Sequence, residues 1–188
     1  MNGVAIKQNN KIHPHKFVLW VAIGSIIMTF AGLTSAYIVK RNQPKWQSYD
    51  IAPAFWISTV VIIASSVLLM LAVKAFKNRQ IPKYRGLMLG TGILGLIFVA
   101  LQVIGFKEMI GIGQTMQANA SYGFIYVIVG LHALHVIGGV IALWVMTAKA
   151  FSTKKKVFSN IPLEVMATYW HFVDILWIYL LLFLIVIK

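Results

Sequence analysis

The polar positions of this chain come in clusters, and the stretches between the clusters are apolar on every side. Five such stretches stand out, roughly 17–39, 51–73, 86–106, 122–148 and 165–187. Each is long enough for a helix rising about 1.5 Å per residue to cross about 30 Å of hydrocarbon, which takes about 20 residues. A helix resting on a soluble core would show one apolar stripe and one polar face. These stretches are apolar all round, as helices in lipid are. The pattern predicts an all-α protein, an integral membrane five-transmembrane-helix bundle forming one domain over 17–188 after a polar tail at 1–16. Pro14, Pro44, Pro53, Pro82 and Pro162 all fall at span ends or in loops, so no span is interrupted.

The polar clusters also predict an orientation. Lys7, Lys11 and Lys16 precede the first span; Lys74, Lys77, Arg79, Lys83 and Arg85 follow the second; Lys149, Lys154, Lys155 and Lys156 follow the fourth. The other side carries only Lys40, Arg41, Lys45, Lys107 and Lys188. Basic residues stay in the cytoplasm, so the N-terminus is expected there and the C-terminus outside. Lys83, Arg85, Lys154, Lys155 and Lys156 are candidate contacts for anionic lipid headgroups, each gaining about 1 kcal/mol near such a surface. Ordinary topology accounts for the same residues. On the external side the longest connection, Lys107–Ser121, is mildly apolar and expected to lie along the interface. Its Asn119-Ala120-Ser121 matches a glycosylation acceptor, a pattern short enough to arise often by chance.

Composition agrees, with 60% hydrophobic and 11% charged residues. The net charge of +13 raises nucleic acid as a partner. The basic residues lie between spans, however, and leave no basic, aromatic stripe to follow a phosphate backbone, so none is expected. Cysteine is absent, which removes disulfides, thiolate metal sites and thiol nucleophiles. The first residues, "MNGVAIKQNNKIHPHK", have no apolar core and read as a tail, not a signal peptide.

A few polar residues lie inside the spans. Gly86 and Gly90 in the third have the spacing that lets helix backbones approach, and the amide of Gln102 must face another helix. In the fourth, His132 and His135 share a face. They could bind haem or a metal, relay protons, or hydrogen-bond between helices. A zinc site would lack a third ligand, and a bis-histidine haem would find only His171 opposite, so interhelical hydrogen bonding is the preferred role. In the fifth span His171, Asp174 and Trp177 are spaced by three along one side. A mid-bilayer carboxylate costs about 2.5–3.5 kcal/mol, which asks for a compensating partner. His171 and Asp174 can meet directly or reach His132 or Gln102. No catalytic residue and no metal site is predicted.

These residues carry a resemblance. "YWHFVDILW" at 169–177, preceded by Glu164, resembles the last helix of subunit III of the haem–copper oxidases, cytochrome c oxidase type. "YGFIYVIVGLHALHVIGG" at 122–139, "FAGLTSAYIV" at 30–39 and "GLMLGTGILGLIFVALQ" at 86–102 are similar to earlier helices of that family, and the likeness runs over all five spans, nearly the whole chain. It implies an accessory subunit without redox centre or cofactor of its own, docked on the catalytic subunit I beside other oxidase subunits, with haems and copper in those partners. It further implies bound phospholipid, support of assembly and of proton uptake by subunit I, protection during turnover, a place in the cell inner membrane, and membership of a respiratory chain that can extend to a supercomplex. The five-helix form lacks an N-terminal pair found in other members. Two departures stand out: the family's glutamate three residues after the glutamine is Gly105, and the acid that often follows the serine of the first matched helix is Ile26. Asp174 is then the only clearly intramembrane carboxylate, and His171 with Asp174 is expected to lock the fourth helix to the fifth. Subunit III of a quinol oxidase, whose signature usually reads His-Phe-Leu-Asp, is the alternative; Val173 and Leu101-Gln102 lean toward the cytochrome c type. A small membrane haem carrier or a transporter is the alternative of another class.

Overall fold

The computed structural model describes residues 14–44, 46–151 and 161–187. Five α-helices follow one another: α1 (Pro14–Arg41), α2 (Pro53–Lys77), α3 (Ile81–Gly111), α4 (Ala120–Phe151) and α5 (Ile161–Val186). All five are long and apolar enough to cross a membrane, and no strand occurs among the described residues. The prolines explain where helices start. Pro14 and Pro53 open α1 and α2, while Pro82 and Pro162 hold the second position of α3 and α5. At such positions proline's fixed φ suits the helix, and its missing N–H would have had no partner. Where α4 starts there is no proline; Asn119 caps it, its Oδ1 accepting from the Ser121 backbone N–H at 3.0 Å and the Ser121 hydroxyl at 3.1 Å. Asn119 and Ser121 of the glycosylation-like tripeptide thus make a helix cap.

The helices overrun the expected spans. Helix α3 has 31 residues and α4 has 32, about 46–48 Å at 1.5 Å per residue, so their ends pass beyond the hydrocarbon. Much of the external connection expected over Lys107–Ser121 is therefore helical, leaving residues 112–119. Gly113 ends α3 at φ 82°, and the Gln114 N–H reaches back to the Met109 carbonyl at 3.0 Å, a closure that needs a left-handed residue.

Helices α2, α3, α4 and α5 pack in a closed ring, each against its neighbours, with the α2–α3 hairpin the most extensive contact. Helix α1 stands outside this ring, on α4 and α5. Its C-terminal end is clamped: the Tyr37 ring lies edge-on to Trp46 (4.9 Å) and Phe183 (5.4 Å), and its hydroxyl bonds to the Tyr49 hydroxyl at 3.2 Å. Tyr49 in turn donates to the Leu184 carbonyl at 2.8 Å, and burial pushes its phenol pKa up. The connection from α1 to α2 thereby closes this end of the bundle.

Small residues matter where large ones meet them, and the glycines that do so differ from those expected. A Cβ on Gly86 would meet nothing within 4 Å, and one on Gly90 only Leu68 at 3.3 Å. The close approaches lie further along α3. Gly95 faces Trp170 of α5, which is 1% exposed and is met on its other side by Gly139 of α4. A Cβ on Gly105 would sit 2.7 Å from the Phe55 ring. Phe55 of α2 therefore fills the space beside the position where the family resemblance led one to expect a glutamate. Ile26, the other position expected to be acidic, is buried in the core at 7% exposure.

Candidate functional site

Packing α5 against α2 brings together two stripes of polar residues seven apart. On α2, Thr59 and Ser66 face α5; Ser58 and Ser65, one residue earlier in each case, face α3. The Trp177 indole N–H donates to Thr59 Oγ1 at 2.9 Å, and His171 Nδ1 shares a short hydrogen bond with the Ser66 hydroxyl. Toward the start of α5 Glu164 pairs with Lys77 of α2 at 3.7 Å. These three ties form a ladder along the antiparallel pair. On the other stripe Gln102 Nε2 donates to Ser58 Oγ at 3.1 Å, and the Ser65 hydroxyl donates to the Thr91 carbonyl at 3.4 Å.

The structure therefore corrects several expected pairings. His171 pairs with α2, not with Asp174, whose carboxylate is 4% exposed and stands beside the same Ser66 hydroxyl. Residues three apart on a helix are neighbours on one face, but the imidazole turns to the α2 hydroxyl, which stands within hydrogen-bond reach of its Nδ1. The expected lock between α4 and α5 is thus a tie between α2 and α5. Gln102 reaches Ser58 and neither histidine. His132 is fully buried and stacks on the Trp177 ring at 5.2 Å, with Phe98 and Phe30 edge-on to it; both ring nitrogens lack a partner. His135 Nδ1 donates within its own helix to the Leu131 carbonyl at 2.7 Å. The tie from α5 to this turn comes instead from the Tyr169 hydroxyl, which donates to the His135 carbonyl at 3.0 Å. Neither imidazole makes the expected hydrogen bond between helices. No group of three metal-capable side chains gathers among the described residues.

Arg85 is also occupied. Its Nε donates to the Ala150 carbonyl at 2.8 Å and its guanidinium lies over the Phe151 ring at 5.2 Å, so it ties the start of α3 to the end of α4. Lys83 is exposed, and Lys154, Lys155 and Lys156 lie outside the described residues.

Because α1 leans on α4 and α5 alone, a groove remains between α1 and α2, with α5 as its floor. Near the starts of α1 and α5 it widens into a cavity of about 400 Å³ lined by residues including Leu19, Trp20, Val73, Thr168 and His171. Exposed Ile175, Tyr179, Leu182 and Val186 continue the floor on one face of α5. At the mouth Lys16 of α1 bonds to Glu164 at 3.1 Å, and Lys77 of α2 approaches the other oxygen of the same carboxylate. Lys16, Lys77 and Glu164 thus lie at one end of the bundle, as alternating spans require. Neither this carboxylate bridge nor the α2 hydroxyls were expected from the sequence. The hydroxyl ladder did leave a signal, since "STVVIIASS" repeats a pair of hydroxyl residues after seven positions.

Comparison with known proteins places this architecture. The family model for cytochrome c oxidase subunit III matches residues 49–187. A probable cytochrome c oxidase subunit 3 of Mycobacterium leprae is 32% identical over 169 residues, covering 86% of this chain and 81% of the relative. The cytochrome c oxidase subunit 3 of Bacillus subtilis is 28% identical over 176 residues, covering 88% and 83%. That of Bacillus sp. PS3 is 25% identical over 173 residues, covering 88% and 83%. With its five membrane-crossing helices, the chain belongs to the cytochrome c oxidase subunit III family.

Proposed function

We infer that this chain is the accessory subunit of a respiratory cytochrome c oxidase, without a cofactor of its own, docked on the catalytic subunit I. Haems and copper reside in partner subunits, where O₂ is reduced to water. The chain supports assembly and proton uptake, holds phospholipid, and sits in the cell inner membrane with its N-terminus in the cytoplasm.

The observation that carries this reading is what the polar interior is used for. Along the α2–α5 seam the Thr59 and Ser66 hydroxyls are taken up by Trp177 and His171, and His132 is enclosed by the rings of Trp177, Phe98 and Phe30, leaving no room for a macrocycle. A transporter would need a broken span or a charged midplane passage, and each helix here is continuous. The opening to the membrane is the α1–α5–α2 groove, apolar along its length and basic at its mouth, which suits an acyl chain below a phosphate.

The test is purification in mild detergent of the oxidase complex carrying a tag on this chain. Subunit I and its haem spectrum should co-purify with phospholipid. Removal of the chain should leave the haem spectrum intact while activity with reduced cytochrome c decays faster during turnover. A coloured isolated chain, or oxidase activity with quinol alone, would overturn the reading.

A further inference from the structure

The groove mouth has an arrangement that a simple binding pocket would not need. Two ammonium groups from helices that do not otherwise pack together, Lys16 on α1 and Lys77 on α2, converge on one carboxylate, Glu164 on α5. The cavity lies directly beneath, and Lys16 and Glu164 are among its walls. Helix α1 is anchored at its opposite end by Tyr37 and at its middle by Phe30, which packs edge-on to His132 and His135. At the cytoplasmic end the cross-groove tie is ionic. Its side chains are 34–54% exposed, so screening keeps it weak enough to be exchanged.

We propose that Glu164 is a resident counter-ion that keeps the groove mouth drawn together by occupying Lys16 and Lys77, and that a phosphate group entering the groove displaces it. The inference rests on the reading of the groove as a phospholipid site and adds how that site is closed and opened. Two lysines without Glu164 or a phosphate would repel across the mouth. With either anion they are bridged, and the phosphate can bind both where the carboxylate must reach from the floor.

The full chain, which has no cysteine of its own, can carry nitroxide labels at Val21→Cys and Leu71→Cys, exposed positions on α1 and α2 near the mouth. In phosphatidylcholine nanodiscs Glu164→Gln should lengthen the label-to-label distance, and adding phosphatidylglycerol should restore it. Native mass spectrometry should show severalfold more phosphatidylglycerol retained by Glu164→Gln than by the parent chain, and less by Lys16→Gln with Lys77→Gln. Glu108→Gln, at the far end of α3, should change neither readout. Equal distances and equal retention in parent and Glu164→Gln would overturn the counter-ion role and leave the groove lipid standing. Restoration of the distance by inorganic phosphate, with no phospholipid retained by any variant, would uphold the counter-ion role and remove the lipid reading.

Discussion

Alanine substitution at two glycines of one helix should have opposite effects, and the reason lies in one indole ring. On Gly95 a Cβ would lie 2.9 Å from Trp170 Cη2 and 3.1 Å from Val140 Cγ2. The ring cannot retreat, because on α4 a Cβ at Gly139 would itself stand 3.3 Å from Trp170. Trp170 is thus pinched between two backbones, and overpacking such a site costs about 1–3 kcal/mol. In a bilayer, where apolar surface alone does not drive helices together, tight packing carries more of the association. Gly86→Ala meets nothing within 4 Å and should gain about 0.5–1 kcal/mol from the better helix propensity of alanine. The assay is loss of helical circular dichroism on titrating dodecyl sulfate into mixed micelles, with both variants run beside the parent. Gly95→Ala should unfold earlier, Gly86→Ala no earlier, and Trp170→Phe should recover part of the Gly95→Ala loss by making room. Equal midpoints for the two alanine variants, or no coupling with Trp170→Phe, would refute the pinched-ring account.

Three further outcomes follow from the seam and the caps. Ser66→Ala leaves the His171 imidazole without its α2 partner and should lower stability in the same titration by about 0.6–1.7 kcal/mol, whereas Thr29→Ala, whose hydroxyl bonds only within exposed α1, should not. Asn119→Ala removes the α4 cap and should cost about 0.5–2 kcal/mol, with faster amide exchange at Ser121 as its local signature. Arg85→Gln should lower the dodecyl sulfate midpoint by untying α3 from the Ala150 carbonyl while leaving phospholipid content of the purified protein unchanged; lost lipid with an unchanged midpoint would restore Arg85 to the headgroup role.

The spans were readable because hydrocarbon imposes a length and an all-round apolar surface, and five runs met both. Their ends were less so: Lys107 and Glu108 read as loop, yet they continue α3 beyond the hydrocarbon, where charge no longer stops a helix. Within the spans, the sequence marked His132, His171, Asp174 and Gln102 as residues that would face protein, and all four are buried or half-buried. Their partners were not readable. Pairing depends on which helices become neighbours, and α2 joins α5 only because the ring closes that way. Gly105 shows the same limit from the other side. As a departure from the family pattern it looked like a lost acid, and only the position of the Phe55 ring shows the space already taken.

The two departures and the polar seam fit one physical pattern. With Gly105 against Phe55 and Ile26 packed in the core, α1 and α3 place no carboxylate in the bundle interior. Between α2 and α5, serine and threonine supply hydrogen bonds at little desolvation cost. That pair is also the one bordering the groove, so the ladder from Trp177 to Glu164 stiffens one wall and the floor together. Helix α1, the other wall, has no such ladder; Tyr37 clamps its C-terminal end and Phe30 packs against His132 and His135 midway along it, while near its start the tie across the groove is ionic. A change of groove width should therefore appear as movement of the N-terminal part of α1 against a fixed α2–α5 pair. Labels placed on α2 and α5 instead of α1 and α2 should report no change when Glu164 is neutralised, and a change there would mean that the ladder, not α1, is the yielding part.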